Sequence, residues 1–173
     1  MSFAEGGHVV KILHSADWHL TNKGTIAGRF VLKDGLNLAL VDRIRAIGEI
    51  CAYAEENNVD LTVLAGDVFD QSNPENVAIR VAVEAVERLV EVSPVVIVRG
   101  NHDGAKGNEA ASALAPFGTL SRRFGVYVSE RPEAFPLLIK GLKVNIFTVP
   151  YPRRFALKSD SRTPSSSPEE TSI

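Results

Sequence analysis

Short β-branched runs alternate with longer helical stripes along most of the chain. Val9–Leu13, Leu61–Ala65 and Val95–Val98 read as buried strands, each ending at a polar cluster. Leu36, Leu40, Ile44, Ile47 and Cys51 recur at three- and four-residue steps, predicting a helix from Asp34 to about Asn57–Asn58. Val77, Val81, Ala85 and Leu89 give a second helix its buried stripe. Asn73-Pro74-Glu75 is expected to start it, with Asn as N-cap, Pro at the first helical position and an acid in the first turn. Pro94 divides that helix from the third strand, and an Ala-rich third helix is expected from about Asn108 to Leu114. Beyond it, Val126–Ser129, Leu137–Lys140 and Val144–Val149 read as short strands joined by turns.

Strand–helix–strand–helix–strand order implies an α/β fold with a mostly parallel sheet and right-handed crossovers. In such sheets ligands bind at the carboxyl ends of the strands. The three polar clusters should therefore meet in space although they are far apart in sequence.

Composition narrows the picture only a little. A chain of 173 residues, 45% apolar and 23% charged, is long enough for one domain with a real core. A net charge of −2 excludes a bulk electrostatic magnet for nucleic acid or anionic membrane, although bound divalent cations would add positive charge locally. Cys51 is the single cysteine, so an internal disulfide is excluded, and it reads as a small core residue. No apolar run approaches the roughly 20 residues needed to cross a bilayer. The N-terminus lacks the pattern of a secretory signal, which makes a cytoplasmic location the expectation. Residues 9–155 form the foldable part. Residues 156–173, rich in Ser, Thr, Pro and acids, are expected to be a disordered or linker-like tail.

The clusters carry the chemistry. Asp17-Trp18-His19 sets an acid and a histidine two residues apart, which on extended backbone project to the same side and can reach one ion. Gly66–Asp70, "GDVFD", lets the chain turn at Gly66 and presents Asp67, whose two oxygens can bridge cations roughly 3.5–4 Å apart. Gly100-Asn101-His102-Asp103 offers an amide oxygen suited to a hard cation and an imidazole for proton transfer, with Asp103 expected to orient that ring. Each alone has a plain alternative: a turn carboxylate, a helix cap or a solvated loop.

Together, in this order and each behind a strand, they resemble the calcineurin-like metallophosphoesterase family. "KILHSADWHL", "AGDVFDQSNP", "VVIVRGNHD" and the later "VPYPRR" resemble, more narrowly, the SbcD-type nuclease subunits of bacterial DNA double-strand-break repair, from about Lys11 to Arg154. The resemblance implies a metallophosphoesterase-type β-sandwich flanked by helices, here incomplete at the C-terminus. It implies two divalent metal ions, Mn2+ foremost, with Asp17 and His19 on the first, Asp67 bridging and Asn101 on the second. His102 would stabilise the transition state or protonate the leaving oxygen, supported by Asp103, as water attacks a phosphodiester. Asp70, where some members carry His, is expected to stand behind the ligands. His14 is expected to be a packed or hydrogen-bonded residue beside the site. DNA and an SbcC-like SMC-type ATPase are the implied partners, a homodimer stays open, and no membrane is implied.

The family also uses a further downstream histidine and a Gly-His-X-His motif. This chain has only His8, His14, His19 and His102, and none follows residue 102. The expectation is therefore the N-terminal portion of a longer nuclease, with little or no nuclease activity by itself. Arg122, Arg123, Arg153 and Arg154 could touch phosphate, but solvated surface is the preferred reading. Two other readings stand beside it: a generic phosphodiesterase for small or cyclic nucleotides, and a non-catalytic domain that retains the fold.

Overall fold

A computed structural model describes residues 9–26, 28–104, 112–120 and 125–152. Its elements are β1 (Ile12–Ser15), β2 (Leu32–Lys33), β3 (Leu36–Asn37), α1 (Leu38–Asn57), β4 (Leu61–Ala65), α2 (Asn76–Val92), β5 (Val95–Val98), α3 (Ala115–Leu120), β6 (Val126–Ser129), β7 (Glu133–Ile139) and β8 (Leu142–Thr148). The expected tail, His8, Arg122, Arg123, Arg153 and Arg154 lie outside the described residues.

Four parallel strands in the order β1-β4-β5-β6 form the central sheet. Alternation of side chains gives the sheet two apolar faces. Leu13, Leu64, Val95, Ile97 and Val126 pack with Leu40, Ile47, Cys51, Val81, Ala85 and Leu89 of the two long helices. Leu61 and Val96 face the other way, against Leu137 and Ile139 of the β7–β8 hairpin. Leu40, Leu64, Leu89, Ile97 and Phe117 are essentially inaccessible, and burying each such side chain stabilises the fold by roughly 1.5–3 kcal/mol. The result is a mixed α/β architecture with a parallel sheet flanked by helices, as expected. Among the described residues no helix is long and apolar enough to cross a membrane.

Several boundaries differ from expectation. Asp34 does not open the first helix. Asp34 and Gly35 both take positive φ, 52° and 79°, and close the β2–β3 hairpin as a two-residue turn, with Leu36 in β3. The helix begins at Leu38, capped by Asn37, whose side chain accepts from the Ala39 amide. Asn73 does not cap α2: the N-cap is Glu75, without a side-chain capping bond, because its carboxylate is engaged by Thr21, Asn22, Lys23 and Gln71. Residues 112–114 precede α3 rather than end a helix; the rest of the expected 108–114 helix lies outside the described residues. The first strand starts three residues and ends two residues later than expected, and β6 pairs with β5 in the parallel sheet while β7 and β8 form a hairpin.

Register fixes what matters for the site. Ser15 pairs with Leu64 and Ala65 with Val98, so β1, β4 and β5 end side by side. The loops that follow them leave the same edge of the sheet.

Candidate metal centre

The first two loops run as a ladder. The Asp17 amide donates to Gly66 O (3.1 Å), the His19 amide to Asp67 O (3.0 Å) and the Leu20 amide to Val68 O (3.0 Å). Trp18, Leu20, Val68 and Phe69 turn inward and are buried; the Trp18 indole donates to Ser15 Oγ at 2.9 Å. Extended backbone is not what brings Asp17 and His19 together. β1 ends at Ser15, and Asp17, His19 and Asp67 all adopt the left-handed conformation, with φ of 56°, 43° and 50°. Non-glycine residues occupy that region at a cost, and such residues cluster where function holds them.

The third loop is pressed against the second. Gly66, at φ 100°, has its backbone against Gly100, and a Cβ at Gly100 would fall inside Asp67. The space is used: the His102 amide donates to Asp67 Oδ1 at 2.8 Å. Asp103, fully buried, accepts from the Gly100 amide (2.9 Å) and the Phe69 amide (2.9 Å). Burial pushes its carboxyl above the ordinary range, with the Asp67 charge adding to the rise while the amides of Phe69, Gly100 and Val68 oppose it. This corrects the expected role. Asp103 ties two loops together through their backbones, and the imidazole of His102 instead meets Asp70 O, at 2.7 Å from Nδ1.

Two overlapping groups of donor atoms result. Asp17, His19 and Asp67 each bring a ligand atom within 4.8 Å of the others, and so do His19, Asp70 and His102. His19 belongs to both: its Nε2 lies 3.6 Å from Asp17 Oδ1 and its Nδ1 3.2 Å from Asp70 Oδ1. The rings of His19 and His102 meet edge to face, 5.0 Å apart and at 84°. Asp70 therefore sits among the potential ligands rather than behind them. Asn101 is exposed and lines a pocket of about 360 Å³ with Asp17 and Asp67. His14 takes no part: it lies exposed on β1, neither packed nor in either donor group.

His19 Nδ1 is buried, and although Asp70 Oδ1 lies 3.2 Å away the two do not make a hydrogen bond. A buried polar atom left in this way is costly unless something else satisfies it. Carboxylates, imidazoles and an amide oxygen around it form a donor set suited to divalent cations, so the residues present fit such ions.

The calcineurin-like phosphoesterase family model matches residues 10–162. The chain belongs to the calcineurin-like phosphoesterase family. Its curated relatives include the SbcD subunit of the SbcCD nuclease from Bacillus subtilis, 29% identical over 133 residues, which cover 76% of this chain and 30% of the relative. The counterpart from Staphylococcus epidermidis is 34% identical over 97 residues, covering 55% of this chain and 23% of the relative. The chain thus spans less than a third of the length of these relatives.

Two residues that support the site escaped sequence reasoning. Glu75 anchors the loop that follows His19, through Thr21, Asn22 and Lys23. Burial pushes its carboxyl up, but its own backbone amide, the Asn22 amide and Lys23 outweigh it and hold the group below its usual range. Arg99 is buried beneath the third loop. A charged residue between the apolar run Val95–Val98 and "GNHD" was a visible signal for it, whereas the local pattern marked Glu75 only as a helix-start acid.

Proposed function

We propose that this chain is the N-terminal part of an SbcD-like nuclease that hydrolyses phosphodiester bonds of DNA in double-strand-break repair. The observation that carries the reading is the convergence of Asp17, His19, Asp67, Asp70 and His102 at adjoining strand ends, with Asn101 beside them. Asp17, His19 and Asp67 would hold one divalent cation. Asp67 and Asn101 would face a second, with His19, Asp70 and His102 as a neighbouring donor group. When bound, such cations, Mn2+ foremost, supply the Lewis acidity that phosphodiester hydrolysis needs.

The chain's own residues do the rest. The His102 amide fixes Asp67 Oδ1 and so orients that carboxylate. Asp70 O can only accept, so Nδ1 of His102 carries the hydrogen between them. Nε2 is then the nitrogen that holds or gives a proton, placed to stabilise the transition state or protonate the leaving oxygen. Asp103 keeps the loops in register. An SbcC-like SMC-type ATPase and a second copy of the chain are the proposed protein partners, and residues 156–173 a linker.

Calorimetric titration with Mn2+, with Asp67→Ala as control, tests the site: the wild-type chain binds and the variant does not. Equal binding by both overturns the assignment. The 173-residue chain alone is expected to digest DNA weakly or not at all, since no histidine follows His102; vigorous Mn2+-dependent digestion would refute that part.

A further inference from the structure

The pocket lined by Asp17, Asp67 and Asn101 has a second wall, built from Val149, Pro150, Tyr151 and Pro152. Metal ligation has no use for an aromatic ring there. Packing does not explain it either, since Tyr151 is 57% exposed. What separates it from an ordinary surface tyrosine is how its backbone is held. The Tyr151 amide donates to Arg99 O at 3.0 Å, and the Arg99 guanidinium donates back to Tyr151 O. Arg99 is only 4% exposed, and its guanidinium also reaches Glu130 O (3.5 Å) and Gly100 O (3.4 Å). A buried guanidinium is tolerated when its donors are used, and here they are used on backbone carbonyls flanking the pocket. The residue leading into Gly100-Asn101-His102 is thus the one that pins the segment bearing the ring.

From this geometry we propose that Tyr151 is a stacking platform for an unpaired nucleobase next to the phosphodiester in the site, with Arg99 as its positioning residue. The inference rests on the phosphodiesterase reading above and names the substrate class: a single strand, or the frayed end of a duplex. Every base has a π-face, so an exposed aromatic ring on an anchored backbone can receive any of them without reading sequence. A base still stacked in a duplex has no free face to offer. The ring addresses the base while the metal ligands address the phosphate, and an anchored backbone leaves little of the platform to be ordered on binding.

The test uses the full chain with Mn2+, a fluorescein-labelled oligothymidylate, and the same strand with abasic residues in place of thymidines, read by fluorescence anisotropy. The wild-type chain should bind the thymidylate roughly tenfold more tightly than the abasic strand, as one stacked base provides. Tyr151→Phe should keep that ratio and Tyr151→Ala should bring it to unity, with Mn2+ affinity unchanged in both. Arg99→Lys, which keeps the charge and loses the fork, should lower the ratio. A Tyr151→Ala chain that still prefers the thymidylate overturns the inference and leaves the nuclease reading intact. Failure of the wild-type chain to bind either strand overturns both. Thymidine monophosphate displacing the strand as well as unlabelled oligothymidylate overturns the assignment to a nucleic-acid strand.

Discussion

Replacing Gly100 by alanine isolates the close approach on which the site depends. Gly100 has no positive φ, so alanine suits its backbone and the cost is one of space alone. The added Cβ would lie 2.7 Å from Asp67 Cγ and nearer still to Asp67 Oδ1 and the Asp67 amide nitrogen, where real Cβ atoms keep beyond 3.0 Å. Because one obstructing atom is backbone, a new rotamer of Asp67 cannot relieve the clash; the two loops must part by roughly 1 Å to restore ordinary contact. Overpacking of this kind costs about 1–3 kcal/mol. Losing the His102 amide bond to the Asp67 carboxylate costs about 1.5–3 kcal/mol more if it is fully broken. If about 2 kcal/mol of this falls on the arrangement of ligands, Mn2+ affinity drops roughly 30-fold. Calorimetric titration of wild type, Gly100→Ala and Asp67→Ala measures it, with urea unfolding reporting the remainder. Wild-type Mn2+ affinity and stability in Gly100→Ala would refute the reasoning.

Two other substitutions probe the loops from opposite sides. Asp103→Asn retains one acceptor but turns an N–H toward the amide of Gly100 or Phe69, so a loss of about 1–3 kcal/mol is expected in urea unfolding; unchanged stability would remove Asp103 as the tie between the loops. Glu75 is a lowered carboxyl, so its stabilisation is present above the unfolded value of about 4.3 and is lost as pH falls through the lower folded value. The stability gap between wild type and Glu75→Gln should therefore be full near neutral pH and close on acidification, and a gap independent of pH would contradict this.

How much could be read in advance follows from how local each cause is. Val95–Val98 and Leu61–Ala65 were legible to the residue, because β-branched runs bounded by turn residues admit little else. Convergence of the three clusters was legible too, since parallel strands must end together. The start of α1 was misread because Leu36 and Leu40 share a helical spacing, which masked an Asp-Gly hairpin turn in plain view. The work of Asp103 was half legible: a carboxylate three residues after Gly100 can reach back to its amide. Its second bond, to Phe69, joins residues 34 apart and has no local trace. Nor did periodicity hint that Asp17, His19 and Asp67 would leave the extended region, because the ladder between their loops imposes it.

Those three left-handed residues carry a consequence for how the protein trades stability against readiness. Asp17, His19 and Asp67 keep their bends because the buried residues beside them, Trp18, Leu20, Val68 and Phe69, are packed inward. A cation arriving at such a place finds donors already aimed and has little ordering left to impose. Left-handed bends cost stability, and a cation that binds only the folded chain adds to it, so the melting temperature should climb as cations are added.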